Sequence, residues 1–99
     1  MTTTWDEPET NYTLRLFVTG ASPNSVKAII NIKRICEQHL QGKYDLEIID
    51  VYQQPLLAQQ QQLIALPMLL KTRPLPLMRL IGDMSDENKV LKGLGIITV

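Results

Sequence analysis

The sequence predicts a single α/β domain, and three observations carry that reading. Leu14, Leu16 and Val18 alternate with Arg15 and Phe17, the two-residue period of a strand over Thr13 to Val18. That strand runs through Thr19-Gly20-Ala21 into a long amphipathic helix that opens at Ser22-Pro23. Some forty residues later, Ala65-Leu66-Pro67-Met68-Leu69-Leu70 sets a proline at the head of a second apolar strand.

Each element has a local cause. Residues 1–11 are polar, contain Pro8 and show no periodicity, so they are expected to be a disordered extension to a domain spanning 12–99. Ser22 is expected to cap the first helix, with Pro23 at its first position, where the missing N–H costs nothing. Val26, Ile29, Ile30, Cys36 and Leu40 recur at close to 3.6 residues, with Ile32 and Ile35 widening the stripe, and Gly42 after Gln41 is the expected stop. Leu46 to Val51 is apolar on both faces at Ile48 and Ile49, which predicts an inner strand, and strand–helix–strand of this length makes a right-handed parallel unit. Pro55 to Ile64 fits a helix, although Gln59 to Gln62 at its centre define no face. Leu66–Lys71 and Leu77–Ile81 read as strands joined by Arg73-Pro74-Leu75-Pro76. Ser85 is the expected cap of a last helix, with Asp86 and Glu87 in its first turn and Val90, Leu91 and Leu94 inward. Gly93 and Gly95 weaken that helix, and Ile96 to Val99 prefers a strand, so local preferences conflict here.

Composition narrows the function. Ten basic and ten acidic residues cancel, so no global field draws the chain to nucleic acid or to a membrane surface. Lys71, Arg73 and Arg79, like Asp6, Glu7 and Glu9, read as solvated surface charge. No apolar run is long enough to span a bilayer, no signal sequence opens the chain, and one cysteine excludes a disulfide framework; a cytoplasmic protein is expected. Strand, turn, helix, then a proline leading a strand is how a thioredoxin-like fold builds a dithiol centre. Here Ser22 and Ser25 flank Pro23-Asn24 in that turn, with no thiol, so binding displaces catalysis as the expectation. Cys36 falls on the inner stripe and reads as a small core residue; His39 reads as a partner of the last helical carbonyls; no metal site, cofactor or catalytic triad is expected.

A set of short stretches in order then carries a resemblance: Leu16-Phe17-Val18-Thr19-Gly20 with Ser22-Pro23-Asn24-Ser25, Ile48-Ile49-Asp50-Val51 with Pro55, and Ala65-Leu66-Pro67. It continues through Pro74 and Pro76, Ile81-Gly82-Asp83 with Ser85, and Lys89-Val90-Leu91. From Tyr12 to about Gly95 the chain resembles the KaiB family of clock proteins. The resemblance implies a metamorphic protein whose constant half, 12–52, stays βαβ while residues 53–99 exchange folds. The ground state would be βαββααβ and self-associating as a dimer or tetramer; the switched state would be a thioredoxin-like βαβαββα monomer. It implies no catalysis, and binding of the switched form to a KaiC-like ring ATPase, with KaiA or a sensor histidine kinase as further partners. A second possibility within the same resemblance is the KaiB-like sensor domain of a histidine kinase; a redox-dead thioredoxin-like binding module for another partner is a third. Pro67, Pro74, Pro76, Gly93 and Gly95 are the implied switch positions. Tyr44, Asp45, Glu47, Pro55, Gln59 and Gln62 are the implied partner-contact residues. Asp45, Glu47 and the glutamine run depart from the family's usual residues on the surfaces it uses for partners, which weighs against KaiA.

Overall fold

The computed structural model describes residues 11–60 and 66–96. Seven elements follow in the order βαβαββα: β1 (Tyr12–Val18), α1 (Pro23–His39), β2 (Tyr44–Asp50), α2 (Pro55–Gln60), β3 (Met68–Arg73), β4 (Met78–Ile81) and α3 (Glu87–Leu94). This is the thioredoxin-like order. Nearly all of the segment expected to be disordered, the end of the Pro55–Ile64 helix with Gln62, and residues 97–99 of the expected last strand lie outside the described residues.

The sheet has the order β2-β1-β3-β4. β1 and β2 are parallel, joined by α1, and β3 runs antiparallel to both β1 and β4. The register between β1 and β3 shifts at Thr13/Leu14. α1 and α3 cover one face, where Leu14, Leu16, Val18 and Leu69 of the sheet meet Ala28, Ile32, Ile35, Cys36, Val90, Leu91 and Leu94. On the other face Phe17, Ile49, Met68 and Leu70 form a smaller cluster, closed by Leu57 of α2 together with Val51 and Leu66.

Ser22 caps α1 as expected: its backbone is extended, its side chain accepts from the Ser25 amide, and Pro23 holds the first helical position. The phase of the stripe differs from the expected one. Ser25, Ala28, Ile32, Ile35 and Cys36 are the buried residues of the helix, whereas Val26 and Ile30 are 41% and 60% exposed. Apolar residues occupy more of this helix's circumference than one sheet face can cover, so two of them are left outside. The helix ends at His39, three residues before the expected stop at Gly42. Leu40 is the C-cap, with its amide on the Cys36 carbonyl, and Gly42 (φ +75°) makes the turn into β2 instead.

β2 is an edge strand, not an inner one. Its two apolar faces have another cause: Ile48 packs toward α1 while Ile49, fully buried, packs toward the cluster beneath α2. Helices on both faces make an edge strand read like a central one. Lys71 is likewise no surface charge. Paired across to Leu14 and Met78, it points into the face that carries α1 and α3, is 3% exposed, and burial draws its ammonium pKa down. Arg73 and Arg79 are exposed as expected.

The cap of α3 is Asp86, not Ser85: the Asp86 carboxylate accepts from the Lys89 amide at 3.2 Å. Ser85 sits one residue earlier, its amide on Asp83 Oδ1 at 3.0 Å. Only Gly93 lies within the helix. Gly95 is its terminator (φ +78°), and the Ile96 amide closes on the Leu91 carbonyl at 2.9 Å, so Ile96 completes a helix end and does not open a strand.

Candidate functional site

The place where a thioredoxin-like fold would hold its thiols is filled by hydroxyls. β1 ends at Val18, and α1 begins four residues after Thr19, which folds the connection tightly enough for Thr19, Ser22 and Ser25 to meet. Ser22 Oγ donates to Ser25 Oγ at 2.8 Å, and the Thr19 amide donates to Ser25 Oγ at 3.0 Å. Thr19 Oγ1 lies 3.2 Å from Ser22 Oγ and 3.4 Å from Ser25 Oγ. Ser25 is fully buried, so its two accepted bonds close the site from beneath. No general base is among these partners, and a serine hydroxyl without one is a poor nucleophile. The hydroxyl cluster shapes the turn between β1 and α1.

Asp50, at the end of β2, ties this turn to the next loop. Its Oδ1 accepts from the Gly20 amide at 3.1 Å and from the Tyr52 amide at 2.9 Å. Its carbonyl accepts from the Gln53 and Gln54 amides. Gly20 has φ +57°, and the Tyr52 ring lies 3.6 Å from where a β-carbon there would stand. Pro67 is buried at the head of β3, one position beyond the Phe17–Met68 pair, and its carbonyl accepts from the Gly82 amide at 3.0 Å.

The other expected positions fall into three places. Pro67, Pro74 and Pro76 each follow a cis peptide bond, the last two in the β3–β4 connection. Gly93 is buried on α3 against Leu80 of β4, and Gly95 is exposed at the helix end. Tyr44, Asp45 and Glu47 lie together on the β2 edge. There the Tyr44 hydroxyl donates to Glu37 Oε2 at 2.6 Å, a bond that pushes the phenol pKa up to about 12, and Glu47 pairs with Arg15 at 3.4 Å. Pro55 and Gln59 are exposed on α2. Among the described residues the fold therefore groups the expected contact positions by element, on β2 and on α2, and does not gather them into one pocket.

Two contacts were not expected. His39 does not serve the carbonyls at the end of its helix; its Nε2 lies 3.1 Å from Glu87 Oε2, while Arg34 Nη1 donates to Glu87 Oε1 at 3.1 Å. Arg34 and His39 of α1 thus hold one carboxylate in the first turn of α3, and their hydrogen bonds keep its pKa below the usual range, His39 contributing most. The sequence carries no signal for this: Arg34 and His39 lie five residues apart, off the three- and four-residue spacings that share a helix face, and their partner is 48 residues from His39. Cys36 is buried as expected, and burial with the nearby Glu37 charge pushes its thiol up to about 12. Among the described residues no cluster of His, Cys, Asp or Glu is arranged to hold a metal ion, and no helix is long and apolar enough to cross a membrane.

Comparison with known proteins agrees with this geometry. The KaiB domain family model matches residues 15–96. The chain is 47% identical over 90 residues to the circadian clock oscillator protein KaiB of Synechococcus elongatus, covering 91% of this chain and 88% of that one. It is 50% identical over 84 residues to the circadian clock protein KaiB3 of Synechocystis, covering 85% and 82%. In three dimensions it resembles the N-terminal domain of SasA from Synechococcus elongatus (TM-score 0.69, 28% identity, 87% and 85% covered). It also resembles chloroplastic thioredoxin z (TM-score 0.70, 14% identity, 87% and 80% covered), a likeness of fold alone. A thioredoxin-like scaffold whose dithiol turn is rebuilt from serines, matched along nearly its whole length by these relatives, belongs to the KaiB family.

Proposed function

We propose that this chain is a non-catalytic clock-type regulator that binds a KaiC-like ring ATPase in its thioredoxin-like form. The carrying observation is the family match over residues 15–96 on a fold whose reactive turn holds Ser22 and Ser25 in place of thiols. The relatives are named as circadian clock proteins, and the output proposed here is timing or stress adaptation through KaiC phosphorylation. Tyr44, Asp45 and Glu47 on β2, with Pro55, Gln59 and Gln62, are the proposed contact residues. Acidic side chains at 45 and 47 argue against KaiA as a partner for this member.

The proposal extends to a second fold. Residues 12–52 form the constant half, and residues 53–99 exchange the arrangement seen here for a βααβ one that self-associates as a dimer or tetramer. Pro67, Pro74, Pro76, Gly93 and Gly95 are the switch positions. If the binding form is about 1% populated, apparent affinity falls about a hundredfold. Incubating the purified protein with its own organism's KaiC homologue and ATP for a day, followed by size-exclusion, should yield a slowly forming complex. Absence of any complex overturns the reading. NMR should show two slowly exchanging populations, and a single thioredoxin-like population refutes the switch.

The likeness to a domain that stands at the N-terminus of SasA favours a second reading, in which this fold is the sensor domain of a histidine kinase. Kinase sequence in the same reading frame downstream would support it; an unrelated or terminated frame would remove it.

A further inference from the structure

The loop between β4 and α3 takes a backbone path that side chains resist. Among the described residues Met84 is the one non-glycine residue at positive φ, +63°. A residue with a β-carbon is disfavoured there by about 5- to 30-fold. Burial offsets that cost: Met84 is 4% exposed and belongs to the main core cluster with Val90 and Leu91 of α3.

The strain centres on one peptide unit. The plane joining Asp83 to Met84 is rigid, so turning it over changes ψ of Asp83 and φ of Met84 together and swings the Asp83 carbonyl to the opposite side. A half turn brings Met84 to a negative φ, in the broad region that any residue adopts. That same carbonyl is held from α1: Asn31 Nδ2 donates to Asp83 O at 2.9 Å. Asn31 lies between Lys27 and Arg34 on one ridge of α1, at spacings of four and three residues. Arg34 reaches Glu87 in the first turn of α3. Hydrogen bonds from Ser85, with a smaller contribution from the Lys27 charge, hold the Asp83 carboxyl below its usual range. The ridge thus faces the entry to α3 along its length, and Asn31 is the member that grips backbone. A cavity of about 190 Å³ adjoins the loop, bordered by Leu80, Met84 and Val90, so the backbone has room to turn.

We propose that the Asp83–Met84 peptide is a two-position switch and that Asn31 is its latch. Latched, Met84 is held in the core and α3 starts against α1. Flipped, the Asp83 carbonyl leaves Asn31, Met84 relaxes to negative φ, and its side chain withdraws from Val90 and Leu91. The entry to α3 is then loosened on α1 while the sheet stays intact. The device works within the thioredoxin-like arrangement and needs no second fold. The opposing idea is a loop fixed by the burial of Met84 alone, to which Asn31 is incidental.

Relaxation-dispersion NMR on the full chain decides between them, because it reads a minor state exchanging in microseconds to milliseconds. Two variants remove the donor: Asn31→Asp keeps the shape of the side chain, and Asn31→Leu introduces no charge. Asn31 is only partly buried, so both should fold. Loss of one hydrogen bond shifts a local equilibrium about fivefold. In both variants the minor population seen at the amides of Met84 to Lys89 should therefore rise about fivefold, with the Met84 Cα shift of that state moving toward extended backbone. The amides of β1, β2 and β3 should be unchanged. No rise in either variant, a rise in only one of them, or an equal rise throughout the chain overturns the proposal. This motion is local and fast, whereas the exchange proposed for residues 53–99 is slow, so the two readings fail separately.

Discussion

Gly93→Ala tests whether the glycine of α3 serves the thioredoxin-like arrangement itself. A β-carbon built at Gly93 would stand 2.7 Å from both methyls of Leu80 and 3.0 Å from its Cγ. Ordinary carbon contacts need about 3.5–4.0 Å, so Leu80 must yield by roughly 1 Å. Overfilling of this kind costs about 1–3 kcal/mol. Against it stands a gain of about 1 kcal/mol from replacing glycine within a helix. Leu80 is only partly buried and lies on the outer strand, so it can swing, which holds the net loss between about 0 and 2 kcal/mol. The decisive quantity is the coupling. In a Leu80→Ala background the obstructing atoms are gone, and Gly93→Ala should stabilise this fold by about 1 kcal/mol. The measurement is a double-mutant cycle by urea denaturation, with the folded population identified by NMR. Equal effects of Gly93→Ala in both backgrounds would refute the contact argument and show that the glycine is retained for another conformation.

Further predictions follow from the same geometry. Ser25→Ala removes the acceptor of the Thr19 amide and should cost about 1–3 kcal/mol in urea denaturation, far more than a surface serine would. Asp86→Ala should cost about 1 kcal/mol by loss of the α3 cap, whereas Ser85→Ala should cost less than half of that; the reverse order would restore Ser85 as the cap. Glu87 has a lowered pKa in the folded state, so its contribution is present above the pKa of the unfolded chain and lost as pH falls through the folded value. Stability measured across the acid range should therefore fall less steeply in Glu87→Gln than in the parent, and identical profiles would refute the ion-pair reading. Cys36, with its thiol at about 12, should resist alkylation at pH 8 until the chain is denatured, and rapid labelling of the folded protein would contradict its burial.

What could be read from the sequence was whatever short-range periodicity and turn chemistry control. β1, the Ser22 cap, Pro23, the β3–β4 pair and the thiol-free turn all follow from residues within a few positions of one another. The phase of α1 did not follow, because Val26 and Ile30 are as apolar as Ile32 and Ile35; only the shape of the sheet decides which pair is covered. β2 looked central because Ile48 and Ile49 record helices above and below it, and hydropathy does not register whether a neighbour lies on each side. Lys71 looked solvated because charge alone marks it so, yet its place between Leu14 and Met78 buries it. The Glu87 contacts to Arg34 and His39 join residues separated by about half the chain, and no local pattern encodes such a pair.

Asp50 has a consequence for how disturbance spreads. Its carboxylate and carbonyl together take the amides of Gly20, Tyr52, Gln53 and Gln54, all within or just after the first βαβ unit, while the Val51 amide closes on Val18. The turn that follows β2 is thereby closed by hydrogen bonds among residues 18–54, while β1 still pairs with β3 and α1 still bonds to Asp83 and Glu87. Asp50 acts as a local firebreak: opening of α2 meets a completed turn there, and in hydrogen exchange the amides of Gly20 and of Tyr52 to Gln54 should stay protected when α2 opens.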